Sequence, residues 1–154
     1  MTQAGRAKDA REYPDRPWVG VGIVVWREDK VLLVRRAKVP RLGEWSIPGG
    51  AQSLGETVFE AAVREVREET GIDVRPTCVV TAVDSIISDG EQRTQFHYTL
   101  VEISAEWVAG EAVAGDDVDA VHWATPEEAA TLVEWDETLR IIAEAARLRA
   151  YGPD

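Results

Sequence analysis

Glu65, Glu68 and Glu69 stand at i, i+3 and i+4 within GAQSLGETVFEAAVREVREETGI, residues 50–72. On a helix that spacing gathers three carboxylates on one face, where like charges repel and weaken the helix. A helix that keeps them calls for a cation to neutralise them. Most acidic helices are merely solvated faces, but here the surroundings argue otherwise. Val58, Ala61, Ala62 and Val66 form an apolar stripe that can pack against a core. Gly71 is placed to end the helix in a left-handed conformation, and Ser53 or Thr57 can supply the N-terminal cap. Pro48-Gly49-Gly50 makes a tight entry loop with exposed backbone. Carboxylates grouped behind such a loop suit Mg²⁺ or Mn²⁺, hard cations that keep several waters and bridge to phosphates.

The flanking sequence supplies the elements that must hold this helix. Trp18–Trp26 has little polar content and reads as a central strand, followed by a turn at 27–30 and a second strand at 31–34 that ends in Arg35 and Arg36. Residues 37–50 are a loop, with a short strand at 45–47. After the helix come strands at 77–85 and 95–103, joined by a turn at Ser88-Asp89-Gly90-Glu91. Residues 105–117 read as an acidic loop leading to a strand at 118–123. Thr125-Pro126-Glu127-Glu128 starts a helix, and a last helix runs from about 134 to 150. Its stripe of Trp135, Leu139, Ile142 and Ala146 reads as core or dimer contact. This order predicts an α/β fold with a mixed sheet covered by helices on both faces.

The chain's 154 residues, 45% of them hydrophobic, suit one domain at 17–150 behind a flexible N-terminal arm at 1–16. A net charge of −11 argues against a nucleic-acid partner, which requires a basic face. The single cysteine, Cys78, excludes an internal disulfide framework and reads as a buried, inert thiol. No apolar run is long enough for a membrane span and no signal region opens the chain, so the expected location is cytoplasmic, with no membrane partner. Outside the acidic helix, Arg36 can hold a phosphate through its planar guanidinium, and Trp45 beside the glycine loop can stack on a base or ribose.

The segment fits Gly50-x5-Glu56-x7-Arg64-Glu65-Val66-x-Glu68-Glu69-x-Gly71-Ile72 at every position. This resembles the Nudix box, and a chance match at a given start is on the order of 10⁻⁹. The resemblance covers residues 18 to about 135 and implies an α/β/α sandwich that hydrolyses a nucleoside diphosphate linked to another group. It implies Mg²⁺, with Mn²⁺ as a substitute, held by Glu65, Glu68 and Glu69. A carbonyl of Gly49 or Gly50 completes the shell. By the same resemblance Glu56 is a supporting or structural acid and not a direct ligand, and Arg64, four residues before Glu68, can pair with Glu68 or Glu56 and orient a ligand. The general base is left open between a box glutamate and a loop acid among Glu111, Asp116, Asp117 and Asp119, with Asp117 the site candidate. Val-Gly-Ile-Val-Val-Trp, Leu-Leu-Val-Arg-Arg and Gly-Glu-Trp-Ser-Ile-Pro-Gly-Gly are similar to small bacterial ADP-ribose pyrophosphatases. The alternatives are a pyrophosphohydrolase of the MutT kind, acting on normal or oxidised dNTPs, and a non-catalytic nucleotide sensor. Relatives of this size often dimerise, so a homodimer is a further expectation.

Overall fold

The computed structural model describes residues 11–152. Among them a seven-stranded mixed sheet carries three helices. The long strands run in the order β2 (Lys30–Arg36), β1 (Trp18–Arg27), β6 (Thr94–Ala109), β5 (Asp73–Ser88). β3 (Trp45–Ser46) and β7 (Val118–Ala124) pair with β2, and β4 (Gly49–Ala51) pairs with the start of β1. β1 and β6 are parallel over nine residue pairs, Trp18↔Tyr98 to Trp26↔Glu106. The other ladders are antiparallel.

β1 is central because both of its faces are apolar. Val21, Ile23 and Val25 point to the face covered by α1 (Val58–Thr70), where they meet Ala61, Ala62 and Val66. Val24 and Trp26 point the other way, toward Ile141, Ile142 and Ala145 of α3 (Asp136–Tyr151) and Ala129 of α2 (Pro126–Leu132). The period-two alternation of a strand thus builds two cores on one backbone.

Thr57 is the cap that α1 uses. Its hydroxyl accepts from the Glu60 N–H at 3.0 Å, and the Glu60 carboxylate accepts from the Thr57 N–H at 2.9 Å. Gly71, at φ 75°, closes the helix in the left-handed region. Thr57→Ala is expected to lower stability by about 1 kcal/mol, measured by urea denaturation, because it leaves the Glu60 N–H without its partner.

Three expectations need correction. β6 runs to Ala109, so the acidic loop begins later than residue 105. Cys78 is only half buried, because β5 is the edge strand of the sheet. Trp135 is the N-cap residue of α3 and lies apart from the stripe it was expected to join. As for the arm, residues 1–10 lie outside the described part. Within 11–16, the Tyr13 N–H donates to the Gln95 carbonyl at 2.8 Å, its hydroxyl donates to Asp89 at 2.7 Å, and Glu12 accepts from Gln95 Nε2 at 2.7 Å. No described helix is long and apolar enough to cross a membrane.

Candidate active site

The capped helix holds its acids against a glycine strand. Arg64 is the centre of this contact. Its Nε and Nη2 donate to the two oxygens of Glu56 at 2.6 and 2.8 Å. Nη2 also donates to the Ala51 carbonyl at 3.0 Å, tying the helix to β4. Nη1 reaches Glu65 at 2.8 Å and Glu68 at 3.2 Å. The paired guanidinium holds the Glu56 carboxyl down at about 2.

Glu65 lies flat on Gly50: a Cβ on that glycine would stand 2.4 Å from the Glu65 carboxyl carbon. Glu69 is 6% exposed and accepts from the Gly49 N–H at 2.9 Å. Burial raises the Glu65 carboxyl, against the pull of Arg64. Burial raises Glu69 further, to about 8, with repulsion from Glu65 adding to it. A buried acid with a second acid packed beside it is costly unless a cation shares the space.

Asp117 is brought here by backbone. The loop after β6 docks on the end of α1 through Val113 N–H to the Thr70 carbonyl and Gly115 N–H to the Glu69 carbonyl, both 2.9 Å. Asp117 then lies near enough to repel both Glu65 and Glu69, and it pairs with Lys38 at 2.7 Å. Asp119 is turned away to Arg35 at 2.6 Å. Arg36 Nε donates to the Pro40 carbonyl at 2.7 Å, and its charge draws the Glu69 carboxyl down.

These groups border a cavity of about 200 Å³ that meets Glu69, Asp117, Arg36, Gly49 and Gly50. Trp45 does not line it. On β3, Ser46 faces the cavity, so its neighbour Trp45 faces the other side. There Trp45 packs on the α2/α3 core, edge-on to His122 with ring centres 6.3 Å apart. The tryptophan on the cavity is Trp135, with the Arg41 guanidinium 4.3 Å from its ring centre. Two further acids were missed from the sequence, Glu102 in the cavity lining and Glu137 near Glu102. Glu102 carried a readable signal, an acid inside a strand otherwise buried at Ile103, Ser104 and Ala105.

No three acids, histidines or cysteines among the described residues are set to hold an ion as they stand. Arg64 pairs with Glu65 and Glu68 together. The donor set itself fits a hard divalent cation: Glu69 is a buried carboxylate that accepts from the Gly49 N–H, and Glu65 packs on Gly50 beside it. Gly50→Ala is expected to push Glu65 off the strand. A loss of roughly 10²-fold in kcat, with a folded circular dichroism spectrum, would be the expected result.

The family model for the NUDIX domain matches residues 16–144, and the chain belongs to the NUDIX family. An ADP-ribose pyrophosphatase of Methanocaldococcus jannaschii is 34% identical over 101 residues, covering 66% of this chain and 57% of that protein. The phosphatase NudJ of Escherichia coli K12 is 33% identical over 113 residues, covering 73% of this chain and 71% of that one. The matches to the archaeal protein, to YvcI of Bacillus subtilis and to a Caenorhabditis elegans protein span 57%, 61% and 41% of those relatives' lengths. Among solved structures, a MutT NUDIX hydrolase of Burkholderia pseudomallei aligns with TM-score 0.72 at 26% identity, covering 84% of this chain and 98% of its own.

Proposed function

We propose that the chain hydrolyses a nucleoside diphosphate linked to another moiety, with ADP-ribose or a related nucleotide sugar as substrate. The products are a nucleoside monophosphate and a phosphorylated partner. The observation that carries this reading is the buried Glu69 on Gly49, with the half-buried Glu65 packed on Gly50 beside it, at a cavity that Glu69, Gly49, Gly50 and Arg36 border. The name borne by the archaeal relative supports the choice of substrate.

Glu65, Glu68, Glu69 and a Gly50 carbonyl would hold Mg²⁺, with Mn²⁺ as a substitute. When bound, this ion supplies neutralising charge on the diphosphate and a lowered pKa for water. Arg36 faces a phosphate, and Gly49 and Gly50 let the backbone approach it. A water oxygen attacks one phosphorus, the bond from that phosphorus to the bridging oxygen breaks, and the bridging oxygen leaves on the other phosphate. Asp117 is the carboxylate this reading assigns to take the proton of the water.

The test is product identification from a panel of such compounds with Mg²⁺. AMP plus ribose 5-phosphate from ADP-ribose is expected. Pyrophosphate from dNTPs, with ADP-ribose untouched, would favour the MutT-like activity instead. Binding without turnover of any compound would favour a sensor.

A further inference from the structure

We propose that Glu102 reads the edge of the substrate's nucleobase and selects bases that present an exocyclic amino N–H. The proposal rests on the functional reading above in that the cavity receives a nucleotide.

Glu102 lies on β6 opposite Gly22 of β1, in parallel register. The two residues are matched in shape. A Cβ on Gly22 would stand 2.2 Å from Glu102 Oε2, so the carboxyl occupies the space that a side chain there would fill. Glu102 is 2% exposed, and its Oε2 has no hydrogen-bond partner. The charge that acts on it is that of Glu137, another acid, and together with burial this raises the carboxyl to about 7. A buried acid without a donor is a poor core residue, and Val or Leu would fill the strand at lower cost. Its presence is accounted for if the donor arrives with a ligand.

The surroundings say which part of the ligand that is. Glu102 lines the same cavity as Glu69 and Asp117, and Phe96, Tyr98 and Trp135 border it too. Aromatic rings beside a cavity offer stacking for a planar heterocycle, but stacking is tolerant of which heterocycle it is. A fixed carboxylate adds the missing discrimination. An ionised carboxyl can only accept. The amino group of adenine donates to it, whereas the carbonyl that replaces this group in hypoxanthine sets lone pair against lone pair. Sites built around one polar partner reject the analogue that lacks it far more strongly than apolar pockets do.

The test compares ADP-ribose with its hypoxanthine analogue at about pH 8.5, where the carboxyl is ionised. For the unsubstituted protein, kcat/KM is expected to favour ADP-ribose by roughly 10²-fold. In Glu102→Leu the ratio should collapse to within about threefold of unity, and the loss with ADP-ribose should be larger in KM than in kcat. Glu102→Gln, whose amide can turn its NH₂ to a carbonyl, should regain turnover of the hypoxanthine compound. Both variants should melt at or above the temperature of the parent, because each removes a buried acid. An unchanged ratio in both variants overturns the proposal, as does an equal fall in kcat for both substrates. Calorimetric binding of AMP and IMP makes the same comparison without turnover. A chain that hydrolyses neither compound therefore fails the proposed function, while the role of Glu102 is still decided.

Discussion

Glu69→Gln is expected to lower turnover of the nucleoside-diphosphate substrate by roughly 10³-fold while making the metal-free protein more stable. The two effects have one origin. Glu69 is 6% exposed, lies beside the half-buried Glu65, and has the Gly49 N–H as its hydrogen-bond donor. Burial and that neighbour raise its carboxyl to about 8, so its charge is held at a cost. The amide oxygen of glutamine can still accept from Gly49 and carries no charge, so the cost disappears. The gain should be on the order of 2 kcal/mol near pH 8, read from thermal unfolding in EDTA. The same neutral group cannot help hold a divalent cation against a diphosphate, so catalysis falls. Retained turnover in this variant would remove Glu69 from the metal site. A large loss of stability would show that its charge is compensated in the free protein.

Arg64→Ala is the second large effect, and its sign is opposite. Arg64 compensates Glu56, Glu65 and Glu68 at once and also donates to the Ala51 carbonyl. Its loss leaves acids with side chains only 15% and 13% exposed, Glu56 and Glu65, without their cation. Removing the shared cation of such a network is expected to lower the urea midpoint clearly, measured by denaturation at neutral pH. The acid side of the profile gives a separate check. Arg64 lowers the Glu56 carboxyl to about 2 from its ordinary 4.5. A depressed folded value means the stabilisation is present above 4.5 and is lost as pH falls through about 2. The gap between parent and variant should therefore be widest near neutrality and narrow steadily between those two values. A constant gap would assign Arg64 a purely steric role.

The acidic helix was legible because its signal is local. The i, i+3, i+4 acids, the Thr57 cap and the Gly71 terminator all lie within one short segment, and each reports on its own backbone. β1 was legible because burial on both faces leaves an unbroken apolar run. Trp45 was misplaced because sequence proximity to the glycine loop says nothing about which face of β3 a side chain takes. Trp135 and Glu102 were missed for the complementary reason. They are far from the box along the chain and reach the cavity through the β1–β6 register and the start of α3. Such positions depend on pairing across the sheet, which single-strand patterns do not encode.

The docking of the loop after β6 on α1 divides the labour of the site. Val113 contributes only its main-chain N–H and points its side chain to solvent, whereas Gly115 sits so close that a Cβ there would stand 3.0 Å from the Glu68 carbonyl oxygen. The loop can therefore exchange outward-facing residues while Asp117 stays registered to Glu69. Changes in what the molecule recognises and changes in how it reacts fall on different atoms, and a lineage could retune the first without rebuilding the second.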